Sequence, residues 1–391
     1  FRVDHRDEPQ AGNRALGEQH RVSKGLFLSS PTIKPLRVAV VDDSSFVRRA
    51  IARMLEGDPR VEIVGLASSG EQLLMSLEEW QPEVITLDLS MPGMGGLSTL
   101  DRIMARGPIP VIILSTHSAK DAPATIEALH RGAMDFIDKT QYSLVDFQAL
   151  REVILEKLLS VRTVSLPESE TAARTASAHR APARSRGPRE KPRPARPPRT
   201  SGRFEALLIG ASTGGPPTVQ RLLEELAAPP AVPVVVVQHM PLGFTRAFAE
   251  RLNAYLPLHV REAQDREVLE PATVYIAPAG RHLALEKVDD RLLGRLLEEP
   301  RDARHRPSVD VLFGSGARIL GSRVLAVLLT GMGTDGATGM LEVARAGGYT
   351  VAQDAASCVV YGMPKAAKLL GAVREEVALD QLGDRITKLL S

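Results

Sequence analysis

Hydrophobic and polar positions follow a repeating rhythm along two stretches of this chain. Between residues 36 and 161 the short aliphatic runs "LRVAVV", "VEIVGLA", "VITLDL", "VIILS" and "MDFID" are separated by amphipathic stretches of helical length. Brief apolar runs bounded by polar turns predict strands buried on both faces, and their alternation with helices predicts a parallel sheet covered on both sides. The rhythm returns between residues 204 and 391, in "FEALLIGA", "AVPVVVVQH" and "VLAVLLTG". The expected fold class is therefore α/β, with two doubly wound parallel-sheet domains.

The segment between them breaks the pattern. From Glu168 to Arg203 the chain holds nine Arg and one Lys against three Glu, a local charge of +7, with no Val, Ile, Leu or aromatic residue. Such a stretch cannot bury enough apolar surface to fold, so residues 162–203 are expected to be a disordered Pro/Arg-rich linker. It lacks the aromatic residues that would stack on bases, and no helix-turn-helix pattern stands out, so no nucleic-acid partner is expected. Residues 1–35 are polar and aperiodic and are expected to form a disordered tail. No internal repeat is visible.

Composition narrows the class further. The chain has 391 residues, 43% hydrophobic and 25% charged, and no apolar run approaches the ~18 residues of a membrane span. Cys358 is the single cysteine, which excludes an internal disulfide, and the first residues do not read as a secretory signal. A cytoplasmic protein without membrane insertion is the expectation.

In doubly wound sheets, chemistry collects at the carboxyl ends of the strands. In residues 36–161 that edge is expected to carry Asp42 and Asp43 after the first strand, Asp88 at the end of the third, Ser115 at the fourth and Lys139 at the fifth. Three converging carboxylates repel unless a divalent cation binds them, and an oxygen-rich, water-retaining site suits Mg²⁺. A hydroxyl and a lysine beside it suit the oxygens of a phosphoryl group carried on one carboxylate.

With these residues in place, the segment resembles the receiver domain of two-component response regulators, a flavodoxin-like fold. The resemblance implies that Asp42, Asp43 and Asp88 bind Mg²⁺ and that Asp88 accepts phosphate from a CheA-type histidine kinase. It also implies that Ser115 and Lys139 contact the phosphoryl group, with Phe136 at the aromatic switch position. The chain departs from the family pattern at Thr140, where proline usually follows the lysine, and at Gly95-Gly96, where Asp-Gly is usual.

In residues 204–391, "FEALLIGASTGGPPTVQRLLEEL" runs from a strand through glycines into an amphipathic helix and sets Ser212 at the helix mouth. A dinucleotide site would want an acidic residue about 20 positions on, but the next strand ends in Gln238 and His239. A helix cap accounts for Ser212 but not for the glycine cluster. Gly210-Ala211-Ser212-Thr213-Gly214 also matches the G-x-S-x-G of a nucleophile elbow, although no suitable histidine follows the late acidic candidates as the α/β-hydrolase order requires. A triad in the order Ser, His, Asp remains open, because triads are defined by geometry. Of the four histidines after Ser212, His239 shares its sheet edge, His259 reads as a sheet residue, and His282 and His305 read as polar-turn residues. Asp335 follows the buried run of "VLAVLLTGMGTDGATGM", whereas Asp310 and Asp354 follow no such clear strand.

"GASTGGPP", "QHMP" and "LLTGMGTDGA", with "IAPAGRHL", "RHRPSVDVLF" and "ASCVVYGMP", together resemble the catalytic domain of the CheB-type chemotaxis methylesterases. The resemblance implies a Rossmann-like three-layer α/β/α domain with Ser212 as nucleophile, His239 as general base and Asp335 as its orienting acid. It places main-chain amides near Met332 at the oxyanion, Thr213 along the site, and no cofactor in this domain. Its substrates would be methyl-esterified glutamates, and certain glutamines, of chemoreceptor cytoplasmic domains.

Overall fold

Residues 34–107, 109–115, 122–139, 147–161, 203–226 and 229–391 are described by a computed structural model of the chain. Apart from Lys34, Pro35 and Arg203, the expected tail and linker lie outside these residues, as does Thr140. Among the described residues no helix is long and apolar enough to cross a membrane.

The first sheet is built from β1 (Leu36–Val41), β2 (Val61–Ala67), β3 (Val84–Asp88), β4 (Val111–Ser115) and β5 (Asp135–Asp138). They lie in the order β2-β1-β3-β4-β5, with all pairings parallel. Between and after them run α1 (Ser45–Leu55), α2 (Gly70–Trp80), α3 (Gly95–Arg106), α4 (Ala122–His130) and α5 (Phe147–Ser160). Every residue of β3, β4 and β5 is buried, which is why these strands read as unbroken apolar runs. Ser44 and Ser69 cap α1 and α2, accepting from Val47 N and Gln72 N. Gly95, in place of the usual aspartate, takes a left-handed φ of +73° where the chain turns into α3, a conformation glycine adopts without steric cost.

The second sheet holds β6 (Ala206–Ala211), β7 (Val234–Gln238), β8 (His259–Glu262), β10 (Thr273–Ile276), β13 (Val324–Leu328), β14 (Tyr349–Gln353) and β15 (Glu375–Val377). Its order is β15-β14-β13-β6-β7-β10-β8, again entirely parallel. The helices are α6 (Gly215–Glu224), α7 (Phe244–Tyr255), α8 (Val309–Leu320), α9 (Ala337–Arg345), α10 (Met363–Leu369) and α11 (Leu379–Leu390). A small antiparallel sheet of β9 (Glu267–Val268), β11 (His282–Val288) and β12 (Arg291–Leu297) was not legible in the sequence. Its β11–β12 hairpin alternates weakly, because β11 begins with four buried residues against the body of the domain.

Residues 35–391 form one compact unit. The α4 helix packs against α6 and α7. Phe136 of β5 stacks on Phe244 with ring centroids 4.7 Å apart. Around this apolar contact Glu127 pairs with Arg251, His130 meets Gln220 at 2.9 Å, and Glu156 lies 3.8 Å from Arg304.

Candidate active site and phosphoacceptor site

Both sheets reverse their winding next to their first strand, and in each a constellation of polar side chains sits at that switch point, the place where ligands bind in open α/β sheets. In the first sheet Asp42 follows β1 and Asp88 ends β3. Ligand atoms of Asp42, Asp43 and Asp88 lie within 4.8 Å of one another. Asp42 and Asp88 are buried, Asp43 is exposed, and Lys139 Nζ reaches both buried carboxylates, at 2.8 Å and 3.4 Å. Burial raises the pKa of Asp88 and the Asp42 charge raises it further, against the lowering effect of Lys139. A carboxylate that is costly to ionise here is one a divalent cation would relieve, so the donor set fits Mg²⁺. Ser115 Oγ ends β4 2.8 Å from Thr125 Oγ1, and Phe136 is buried with its ring turned to Phe244.

In the second sheet β13, β6 and β7 are neighbours, and the residues that leave their carboxyl ends come together. Ser212 N donates to Thr330 O and His239 N to Ala211 O, extending the ladders by one step beyond the strands. Ser212 Oγ lies 3.1 Å from His239 Nδ1, and His239 Nε2 lies 2.7 Å from Asp335 Oδ2. The imidazole thus presents Nδ1 to the serine and Nε2 to the carboxylate, the reverse of the arrangement in chymotrypsin. Turning the ring over would put carbon atoms against both partners, so the contacts themselves fix the orientation.

Asp335 owes its place to α8. Its carboxylate accepts from Val309 N at 2.8 Å, Asp310 N at 2.9 Å and Ser308 Oγ at 2.8 Å, all at the N-terminus of that helix, where unpaired amides favour an anion. Burial by itself would raise its pKa. The bonds from His239 and from the Asp310 and Val309 amides outweigh that and hold it well below the usual carboxylate range. Asp310, beside it, is pushed up to about 6 by burial and by the Asp335 charge. The carboxylate facing His239 therefore stays ionised.

Among the described residues the amides of Thr213 and Met332 donate to no acceptor. Thr330, fully buried, holds this region together: its hydroxyl donates toward Thr213 O and accepts from Val360 N, while its amide donates to Gln353 Oε1. Asp354 caps a local turn through Ser357 and does not join the triad. His259 opens β8, at the far edge of the sheet.

Two histidines read as polar-turn residues have other surroundings. His282 begins β11 and is wholly buried; Ser308 N donates to its Nδ1 at 3.2 Å and its Nε2 lies 3.1 Å from Pro300 O. Because Ser308 also donates to Asp335, His282 is linked through Ser308 to that carboxylate. Its sequence context, two residues past "PAG", gave no sign of a strand start. His305 does lie in the turn before α8, yet its ring stacks on His239 with centroids 4.1 Å apart and planes 17° from parallel. Burial, and then the neighbouring His239, lower its pKa from 6.5 to about 4. The unfolded chain thus takes up this proton near pH 6.5 and the folded chain only near 4. Stability from His305 is complete above about 6.5 and is lost as pH falls through that window. His305→Phe, which keeps a stacking ring, should flatten the decline of the urea midpoint between pH 6.5 and 4. An unchanged slope would refute this reading.

Both parts of the chain are similar to known families. A family model described as CheB methylesterase matches residues 207–386, and one described as response regulator receiver domain matches residues 38–153. The chain is 38% identical to a protein-glutamate methylesterase/protein-glutamine glutaminase of Halalkalibacterium halodurans, over 90% of this chain and 98% of that one. It is 40% identical to protein-glutamate methylesterase/protein-glutamine glutaminase 2 of Shewanella sp. strain MR-7, over 91% and 98%. The solved methylesterase catalytic domain of Thermotoga maritima CheB aligns at 37% identity with a TM-score of 0.47, covering 49% of this chain and all of that one.

Proposed function

The chain belongs to the protein-glutamate methylesterase/protein-glutamine glutaminase family, and on that premise we propose that it is a phosphorylation-regulated serine esterase acting on chemoreceptor cytoplasmic domains. The observation that carries this reading is the unbroken contact chain from Ser212 through His239 to Asp335. Asp335, ionised, accepts a hydrogen bond from the Nε2–H of His239 and so keeps the Nδ1 lone pair facing Ser212. His239 Nδ1 takes the hydroxyl proton as Oγ attacks the carbonyl carbon of a glutamate γ-methyl ester. The oxyanion faces the Thr213 and Met332 amides. Nδ1 then returns the proton to the departing methoxy oxygen, methanol leaves, and water activated by the same nitrogen releases glutamate. A glutamine amide would follow the same path with ammonia as leaving group.

Asp88 serves as the phosphoacceptor for a CheA-type histidine kinase. Asp42, Asp43 and Asp88 would hold Mg²⁺, which when bound neutralises charge on the phosphoryl and carboxylate oxygens. Lys139 and Ser115 lie where they would bind phosphoryl oxygens. The closed packing of α4 and β5 on α6 and α7 supports an inhibitory role for the unphosphorylated receiver, since α6 starts three residues after Ser212 and α7 five after His239. Phosphorylation activates only as far as it weakens this closed form. A tenfold rise needs about 1.4 kcal/mol of differential stability.

The test is methanol release from methylated receptor membranes by unphosphorylated chain, phosphorylated chain and a fragment beginning at Ser201. The fragment and the phosphorylated chain should both exceed the unphosphorylated chain. Equal rates for the fragment and the unphosphorylated chain would remove the inhibitory role, and no methanol from any of the three would remove the esterase assignment.

A further inference from the structure

Gln238 ends β7 one residue before His239 and is 1% exposed. Its Nε2 donates to the carbonyl oxygen of Ser212 at 2.9 Å and to that of His239 at 3.1 Å. One side-chain amide therefore ties the main chain of the nucleophile to the main chain of the base. Chemistry dictates which end of the amide faces them, since an oxygen there would meet only acceptors. In this orientation Oε1 is buried and has no hydrogen-bond partner among the described residues. It lies against Gly215, where a Cβ would stand 2.0 Å from it.

A buried acceptor without a donor costs stability, and an apolar side chain of equal length would avoid that cost. Polar groups kept against the interest of the fold mark functional sites. What the amide supplies is a second anchor on the Ser212 peptide. The Ser212 carbonyl accepts from Gly215 N at 2.8 Å, which fixes it to α6, and from Gln238, which fixes it to β7. The carbonyl of His239 shares the second donor. The relative placement of Oγ and Nδ1 thus depends on a side chain that touches neither.

We propose that Gln238 is a positioning residue for the esterase reaction, setting the approach of Ser212 Oγ to His239 Nδ1 through their backbones. This rests on Ser212 being the nucleophile, as proposed above. Misplacement by about 1 Å typically costs about a hundredfold in rate.

The experiment uses full-length, phosphorylated chain carrying Gln238→Met, which keeps the length and removes both the donor and the orphan acceptor. Methanol release and labelling by a fluorophosphonate are measured together. The expected result is a kcat lower by about tenfold to a hundredfold with KM within about twofold. The rate constant for labelling Ser212 should fall in step, with one serine still labelled per chain and a thermal midpoint no lower than the parent's. Partial misfolding would instead reduce the number of labelled serines without slowing the rest, and that result overturns the proposal. Gly215→Ala gives a second route, because its new Cβ occupies the space of Oε1 and displaces the amide. It is expected to slow labelling likewise, and it decides the matter if Gln238→Met does not fold. An unchanged labelling rate constant in the folded variants overturns the positioning role alone. Failure of the parent to be labelled at Ser212 overturns the esterase reading beneath it.

Discussion

Ser212→Ala should lower ester turnover by at least ~10⁴, the loss expected when a triad acting as a unit keeps only its oxyanion donors and its binding of substrate. The environment of Ser212 argues for a loss of that size. The hydroxyl is 3.1 Å from Nδ1 of an imidazole whose other nitrogen is held at 2.7 Å by a carboxylate kept ionised by a helix N-terminus. Alanine leaves that apparatus assembled with nothing for it to activate. The fold should not suffer, because Ser212 is partly exposed and its backbone bonds to Thr330 O and from Gly215 N do not involve the side chain. Phosphorylation of Asp88 should proceed as in the parent. The check is methanol release under saturating receptor, alongside fluorophosphonate labelling. Activity within tenfold of the parent would sink the nucleophile assignment, and a label on another serine would identify its replacement.

Asp88→Asn should abolish phosphoryl uptake from a small phosphodonor and, with it, any activation of the esterase. Asparagine has the shape of aspartate but offers no carboxylate oxygen to form the acyl phosphate. It also removes a charge that the fold holds at a cost. The pKa of Asp88 is raised by burial and by Asp42, so the group favours the folded state while protonated, and that contribution is lost as pH rises through its folded pKa. At neutral pH the asparagine variant should therefore be at least as stable as the parent, a loss of function accompanied by no loss of fold. Chelating Mg²⁺ should likewise prevent uptake by the parent while leaving basal ester hydrolysis unchanged. Radiolabel persisting in Asp88→Asn, or mapping to Ser115 in the parent, would show that the acidic cluster is not the phosphoacceptor.

The two predictions concern sites on different sheets, and on the proposed reading the contact between those sheets is what would couple them. Phe136 is two residues from the end of β4–β5 pairing at Ser115 and Asp138, and its ring stacks on Phe244, which opens α7 just beyond His239. The contact between the two parts of the chain thus includes a stacked aromatic pair and the Glu127–Arg251 ion pair. Packed interfaces of this kind switch between discrete arrangements rather than yield gradually.

Sequence by itself determined the parallel sheets, because strands buried on both faces must be written as unbroken apolar runs such as "VVVVQ" and "VIILS". It also determined which edge carries the chemistry, since a run that ends in Asp88, His239 or Ser212 can expose that residue only where the strand leaves the core. Strand alternation does not encode the supports of those residues. His282 reads as a turn residue and Gln238 as a strand end, nothing in the pattern singles out Ser308 or Thr330, and the four meet their partners only when α8, β11, β7 and β13 converge. The stack of His305 on His239, and the choice of Nδ1 rather than Nε2 to face the serine, depend on how the rings are placed by packing. Composition and periodicity report how much of each side chain is buried and on which face, whereas orientation is set by packing between elements far apart in the chain. That packing, a product of the tertiary structure alone, decided how the residues at the two sheet edges face their partners.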